Sequence, residues 1–151
     1  MSSTTVLVTV WDDENARGVP QLVTISAGGG YVSRTAGAAV SVATPLCPNG
    51  SGKLIACTGT EESVRTFSGF AVTAAAAPND AIEVALPGQI STGHVGLTPG
   101  SLYFLCGGSL VAAAGLTAWI GAQPSDTPYR EIGTAQSATE LLVIPGNIQT
   151  T

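Results

Sequence analysis

The sequence predicts an all-β fold, a small barrel or sandwich of about ten short strands. Three observations carry that expectation. Apolar residues alternate in short runs, glycine and proline recur between the runs (19 and 9 residues of 151), and no long stretch repeats at helical spacing. A chain of this length is enough for one domain with a real core.

The elements follow in order. TVLVTVW, from Thr5 to Trp11, sets Val6, Val8 and Val10 against Leu7, Thr9 and Trp11, a strand with two usable faces that DDENARG ends. QLVTIS from Gln21 is a second strand, closed by Gly28, Gly29 and Gly30. Residues 1–36 are therefore read as an extended N-terminal arm or as additional strands, and residues 37–151 as the β domain. In that domain GAAVSVATPLC from Gly37 and KLIAC from Lys53 read as strands joined by the hairpin turn PNGSG. TFSGFAVTA from Thr66 and AIEVALPG from Ala81 follow, and Ala74 to Ala77 between them are helical only until Pro78 and Asn79. SLYFLC, SLVAA, EIGTAQ and ELLVIPG complete the set. In GLTPGSLYFLCGGSLVAAAG the LTPG and CGGSL pieces are turns, and Leu102 and Phe104 alternate with Tyr103 and Leu105 along a strand.

Four blocks recur in order, suggesting a two-unit duplication. Leu46 and Cys47 recur as Leu105 and Cys106, GKLIA at Gly52 as GSLVA at Gly108, GFAVTA at Gly69 as GTAQSA at Gly133, and EVALPGQI at Glu83 as LLVIPGNI at Leu141. Ordered recurrence favours duplication over chance matches in a glycine-rich chain. It sets Cys47 and Cys106 at matching strand ends, as packing residues.

Only 10% of residues are charged, against roughly 25% in ordinary soluble domains, while 44% are hydrophobic. So little charge leaves little repulsion between molecules, and burial of surface against copies or a partner is expected. The net charge is −5, and the five cations, Arg17, Arg34, Lys53, Arg65 and Arg130, stand singly. No nucleic-acid partner is expected from that distribution. The start lacks a basic segment and alternates Val with Thr, so neither a signal peptide nor a membrane partner is expected, and the chain is read as made in a cytoplasm. Three cysteines, an odd number, argue against a disulfide framework and for buried free thiols.

Candidate chemistry is sparse. NGSGKL around Lys53 lacks the first glycine and the following hydroxyl of a phosphate loop, with Cys47 and Leu54 in those places. His94 is the single histidine, in the loop ISTGHVGLTPG; a hydrolase would pair it with Ser91, Ser101 or Cys106, but no glycine-flanked serine elbow is present. A solvated or interface histidine is the preferred reading. The cysteine spacing does not suit zinc, and Asp12, Asp13 and Glu14 read as a solvated turn, so no metal or cofactor is expected. Trp11, Tyr31, Tyr103, Phe104, Trp119 and Tyr129 are too scattered for a sugar platform and read as core or subunit contacts. The loop AQPSDTPYRE, with two prolines and Asp126, reads as exposed.

The ordered blocks GAAVSVATPLCPNGSGKLIAC, FSGFAVTAAAAPNDAIEVALPGQI, GLTPGSLYFLCGGSL and REIGTAQSATELLVIPG resemble the small capsid decoration, or cement, proteins of tailed bacteriophages. Similar phrasing occurs in β-rich tail and fibre modules. The resemblance spans about Gly37 to Gly146 and rests on structural positions, among them Gly69, Gly88, Leu97, Pro99, Gly100, Tyr103, Gly133 and Ala135. It implies a non-enzymatic virion protein on the capsid exterior, assembled in the host cytoplasm, that trimerises and binds the major capsid protein. The alternative it leaves open is a tail or fibre module for attachment or host binding. The partner-binding residues expected on this reading are Val6, Val8, Val10 and Trp11 of the first strand, with His94, Tyr129 and Arg130.

Overall fold

A computed structural model describes residues 3–12, 17–26 and 30–151, with side chains from residue 30 onward. The chain divides into two compact units, residues 1–30 and 31–151. In the first, β1 (Ser3–Asp12) pairs antiparallel with β2 (Arg17–Ser26), Val6 opposite Val23 and Trp11 opposite Gly18. TVLVTVW thus forms the strand its alternation predicts, within a two-stranded hairpin.

The second unit is a β-sandwich of two antiparallel sheets that do not close into a barrel. The first sheet is built from β3 (Val32–Thr35), β4 (Pro45–Pro48), β5 (Leu54–Ala56), β6 (Gly69–Ala71) and β7 (Ala81–Ala85), in the order β3-β7-β6-β4-β5. The second contains β8 (Ile90–Thr92), β9 (Leu102–Cys106), β10 (Ser109–Ala112), β11 (Pro128–Ala135) and β12 (Glu140–Val143), in the order β10-β9-β11-β12-β8, with β13 (Ile148–Thr150) on β11. Read from the edge, the two orders are the same. Each half has an edge strand, a hairpin, a helix and two further strands. The helices are α1 (Glu61–Arg65) and α2 (Ala113–Gly121). The duplication expected from the recurring blocks therefore has a counterpart in the topology.

Two glycines fix the correspondence. Gly69 and Gly133 have φ of 150° and 156°, and a Cβ on either would overlap a carbonyl oxygen of the facing strand, that of Ala85 or Leu142. Ala85 and Leu142 lie opposite Phe70 and Thr134, the residue after the glycine in each half. Across the other edge, Gly69 faces Leu46 and Gly133 faces Tyr103. Cys47 therefore matches Phe104, not Cys106, which corrects the pairing taken from the LC blocks. The irregularity between Glu131 and Gly133 in β11 helps explain why sequence offsets mislead there.

The two halves stack with like faces pointing the same way. Leu46 and Ala71 point away from the second half, into a cluster with Val40, Ala75, Ile82 and Val84. Their counterparts Tyr103 and Ala135 point at the first half, joining Leu105, Ile132, Leu141 and Val143 against Phe67 and Phe70. The core between the sheets is thus the back of the first against the front of the second, and Leu105, Phe70 and Leu141 are fully buried there.

Local chemistry explains the turns. In PNGSG the Asn49 side-chain oxygen accepts from the N–H groups of Ser51 and Lys53, at 3.0 and 3.1 Å, and Gly52 takes φ 75°. Gly107 and Gly108, at φ 59° and 84°, form the two-residue turn between β9 and β10. In LTPG, Ser101 N–H reaches Thr98 O at 3.1 Å, and Gly100 supplies the positive φ of 78°.

Other expectations are corrected. The stretch from Gly37 is not one strand: only residues 45–48 form one, while residues 36–44 fold over the first sheet, held to it by the Ala36 and Leu54 bridge and by the Ala43 N–H bond to Ala71 O. The four alanines contain no helical turn, and Ala75 is instead bridged to Val40. Cys47 and Cys57 are not free thiols. They form a disulfide across the β4-β5 hairpin, where antiparallel pairing brings their Cα atoms to 5.1 Å.

Candidate functional site: surfaces of a charge-poor sandwich

Val6, Val8, Val10 and Trp11 lie on β1, whose side chains are outside the described residues, as are Asp13 and Glu14. The remaining expected contact residues, His94, Tyr129 and Arg130, are drawn inward. His94 is 5% exposed, its ring set edge-on to Phe70 at 5.1 Å. Its Nε2 lies 2.9 Å from Ser91 Oγ, and its backbone N–H donates to Thr139 O at 3.2 Å. Burial holds the imidazole below its ordinary value, because a charged ring would lose its hydration there. The loop position that suggested a solvated histidine is overruled by packing between the two halves.

Tyr129 is 7% exposed, wedged edge-on against Phe104 and Trp119 with its hydroxyl donating to Gln149 Oε1 at 2.8 Å. Arg130 serves the backbone: its Nε donates to Gly146 O at 2.7 Å and its Nη1 to Arg65 O at 3.4 Å. It thereby ties β11 to the chain after β12 and to the end of α1. The neighbouring loop matches its expectation, with Pro124, Ser125 and Asp126 exposed.

The Ser91 and His94 pair has the spacing of a nucleophile and its base, yet Ser91 is fully buried and a substrate has no approach to its hydroxyl. Cys106 is also buried, and desolvation pushes its thiol up to about 12, so it is protonated at neutral pH. Ser101 has its own local role, placing its N–H in the LTPG turn. Lys53, the cation of the phosphate-loop lookalike, donates to Asn79 Oδ1 at 2.5 Å. Among the described residues no three His, Cys, Asp or Glu side chains gather as metal ligands, and no helix is long and apolar enough to cross a membrane.

A recess of about 150 Å3 opens beside the disulfide, between β4, β5 and α1. Thr60 caps α1 by accepting from Ser63 N–H at 3.3 Å, and Ser63 Oγ in turn donates to Cys47 Sγ at 3.3 Å. The Ser63 carbonyl oxygen sits 2.9 Å from the same sulfur, a contact and not a hydrogen bond, since a bridged sulfur has no proton. Glu62 is the single ionisable side chain lining the recess, so it has no acid and base pair.

What the outer surface does offer is apolar. Val42, Ile90, Val95, Leu102 and Ile144 are exposed, and α2, AAGLTAWIG, has no charged residue and buries none of its residues fully. Leu116, Trp119 and Ile120 lean on Phe104, Cys106 and Tyr129, leaving Ala113, Ala114, Thr117 and Ala118 to solvent. A helix apolar on all sides is ordinarily covered on all sides. Sequence reasoning missed Leu102, Ile90 and α2 because short apolar runs read as core. The signal available was the absence of any charge from Ser109 to Ser125. No protein-family model, curated protein or solved structure matches this chain.

Proposed function

We propose that the chain is a non-enzymatic structural protein of a tailed-phage virion, binding the outside of the assembled capsid as a homotrimer and stabilising the shell against its major capsid protein. The observation that carries the reading is a two-stranded hairpin unit preceding a charge-poor sandwich. The resemblance of residues 37–146 to cement proteins supplies the context. A free sheet edge can pair with a neighbour's main chain without special side chains, and many copies turn weak contacts into collective stabilisation. The buried Ser91 and the protonated Cys106 support a role without turnover.

The test is the copy number of this chain in purified particles. A cement protein is expected at hundreds of copies, and a tail or fibre module on the order of ten, because shells and tails repeat their subunits differently. A count near the lower value overturns the reading in favour of the attachment module. Deleting residues 1–30 is expected to leave a folded sandwich that binds shells poorly, and undiminished binding would remove the hairpin from the proposed contact.

A further inference from the structure

We infer that the outer face of the second sheet is an interface between copies of this chain. Strand register places Leu102, Thr134, Leu142 and Ile90 side by side across β9, β11, β12 and β8, on one face. Their neighbours Tyr103, Ala135 and Leu141 point into the core between the sheets, so this row points outward. Leu102 is 40% exposed and Ile90 43%, while Thr134 and Leu142 are half-buried.

The first half shows what this row is for. The matching row there is Pro45, Phe70 and Ala85, paired in the same way. All three are buried, and Phe70 sits in the core formed with the second half. The same position of the same unit is thus covered by a sheet of this fold in one half and by no other layer of the sandwich in the other. On the second sheet α2 shields only the neighbouring end, over Phe104 and Tyr129. A row of Leu, Thr, Leu and Ile flanked by an uncharged helix matches the centre of a subunit interface, where charge is depleted.

The occupant follows from the same comparison. The surface that covers the first row is the front of the second sheet, already used within the chain. Its counterpart, the front of the first sheet, is closed by residues 36–44, with Val40 and Ala75 7% and 4% exposed. Head-to-tail stacking of copies is therefore blocked, and the open rows meet like with like about a two-fold axis, which yields a closed dimer. This two-fold contact is separate from the three-fold association in the proposed function and does not depend on shell binding.

The full chain, measured by sedimentation and light scattering, is expected to have a mass that is an even multiple of 15.0 kDa. Leu102→Glu places a charge in the apolar row beside α2 and is expected to raise the dissociation constant at least ~30-fold. Ile90→Glu, on the short edge strand, tests the same row should the first variant not fold. Val95→Glu, at a loop tip 92% exposed, is the control and keeps the wild-type mass. A wild-type monomer, or a trimer of three times the chain mass, at millimolar concentration overturns the inference. So does wild-type mass in the folded row variants, or equal weakening by the control. An oligomer that binds no shells defeats the shell role and leaves the interface standing, whereas a monomer that binds shells does the reverse.

Discussion

The two halves of the sandwich share one strand order but protect the same face by different means. In the first, Cys47 is tied into a disulfide beside the five-residue α1, and Cys47 and Phe70 pack against β9, β11 and β12 of the second sheet. In the second, the nine-residue α2 reaches only Phe104, Cys106 and Tyr129, and Cys106 is a free thiol. A duplicated unit that stacks front to back must end in one uncovered back. The difference between the halves is therefore a consequence of their position in the stack more than of their sequence.

Substitutions at matched positions can break that comparison. Phe70→Ala removes a fully buried ring from the intersheet core and is expected to cost about 3–5 kcal/mol in denaturant unfolding. Thr134→Ala, its counterpart on the open face, is expected to stay within about 0.5 kcal/mol. Similar losses at the two sites would mean that the rows are not differently covered. Gly69→Ala and Gly133→Ala put a Cβ against a facing carbonyl at strongly positive φ, and each is expected to cost about 2–4 kcal/mol. If one were tolerated, the two glycines would not be equivalent, and the correspondence between halves would need a different register.

The disulfide sharpens the comparison further. Replacing both Cys47 and Cys57 by Ala is expected to lower stability by about 2–3 kcal/mol under oxidising conditions, from the lost restraint on a short loop. With reductant present, wild type and variant are expected to converge. Cys106→Ala has no crosslink to lose and should show no such redox dependence. The smallest effect concerns pH. Burial lowers the His94 value below 6.5, so the unfolded chain binds its proton first as pH falls. Stability is then full above about pH 6.5 and declines below it, down to the folded-state value. The His94→Gln variant is expected to lose that part of the slope in unfolding curves between pH 7 and 5, and an unchanged slope would assign it to the carboxylates instead.

Much of the sandwich was legible where local chemistry suffices. PNGSG and CGGSL carry their turns in asparagine and glycine, and SLYFLC sorts its faces by alternation, as the burial of Tyr103 and Leu105 on one side bears out. Short edge strands were not legible. YVSR has little alternation to read, and ISTGH has a histidine that suggests a loop, although both are held by a longer neighbour. The stretch 37–44 alternates well yet does not form a strand, because Val40 alone in it makes a β-bridge, while Gly37, Ala43 and Thr44 make single backbone hydrogen bonds to Leu54 and Ala71. The Cys47 and Cys57 link was hidden by an odd cysteine count, since counting cannot show which two a hairpin brings together. Of the expected contact residues, His94 and Tyr129 are buried within the chain: a polar atom on an aromatic ring marks a surface only when nothing packs against it.

By itself the sequence determined the β class and the turns, which depend on residues a few positions apart, and showed the recurrence of a unit, which needs only one stretch compared with another. The tertiary structure decided which face each unit turns to its neighbour, that Cys47 meets Cys57, that His94 is sealed, and that one sheet keeps an apolar row in the open. Those outcomes depend on pairings between distant segments. A strand's alternation defines two faces without saying which of them another layer will cover.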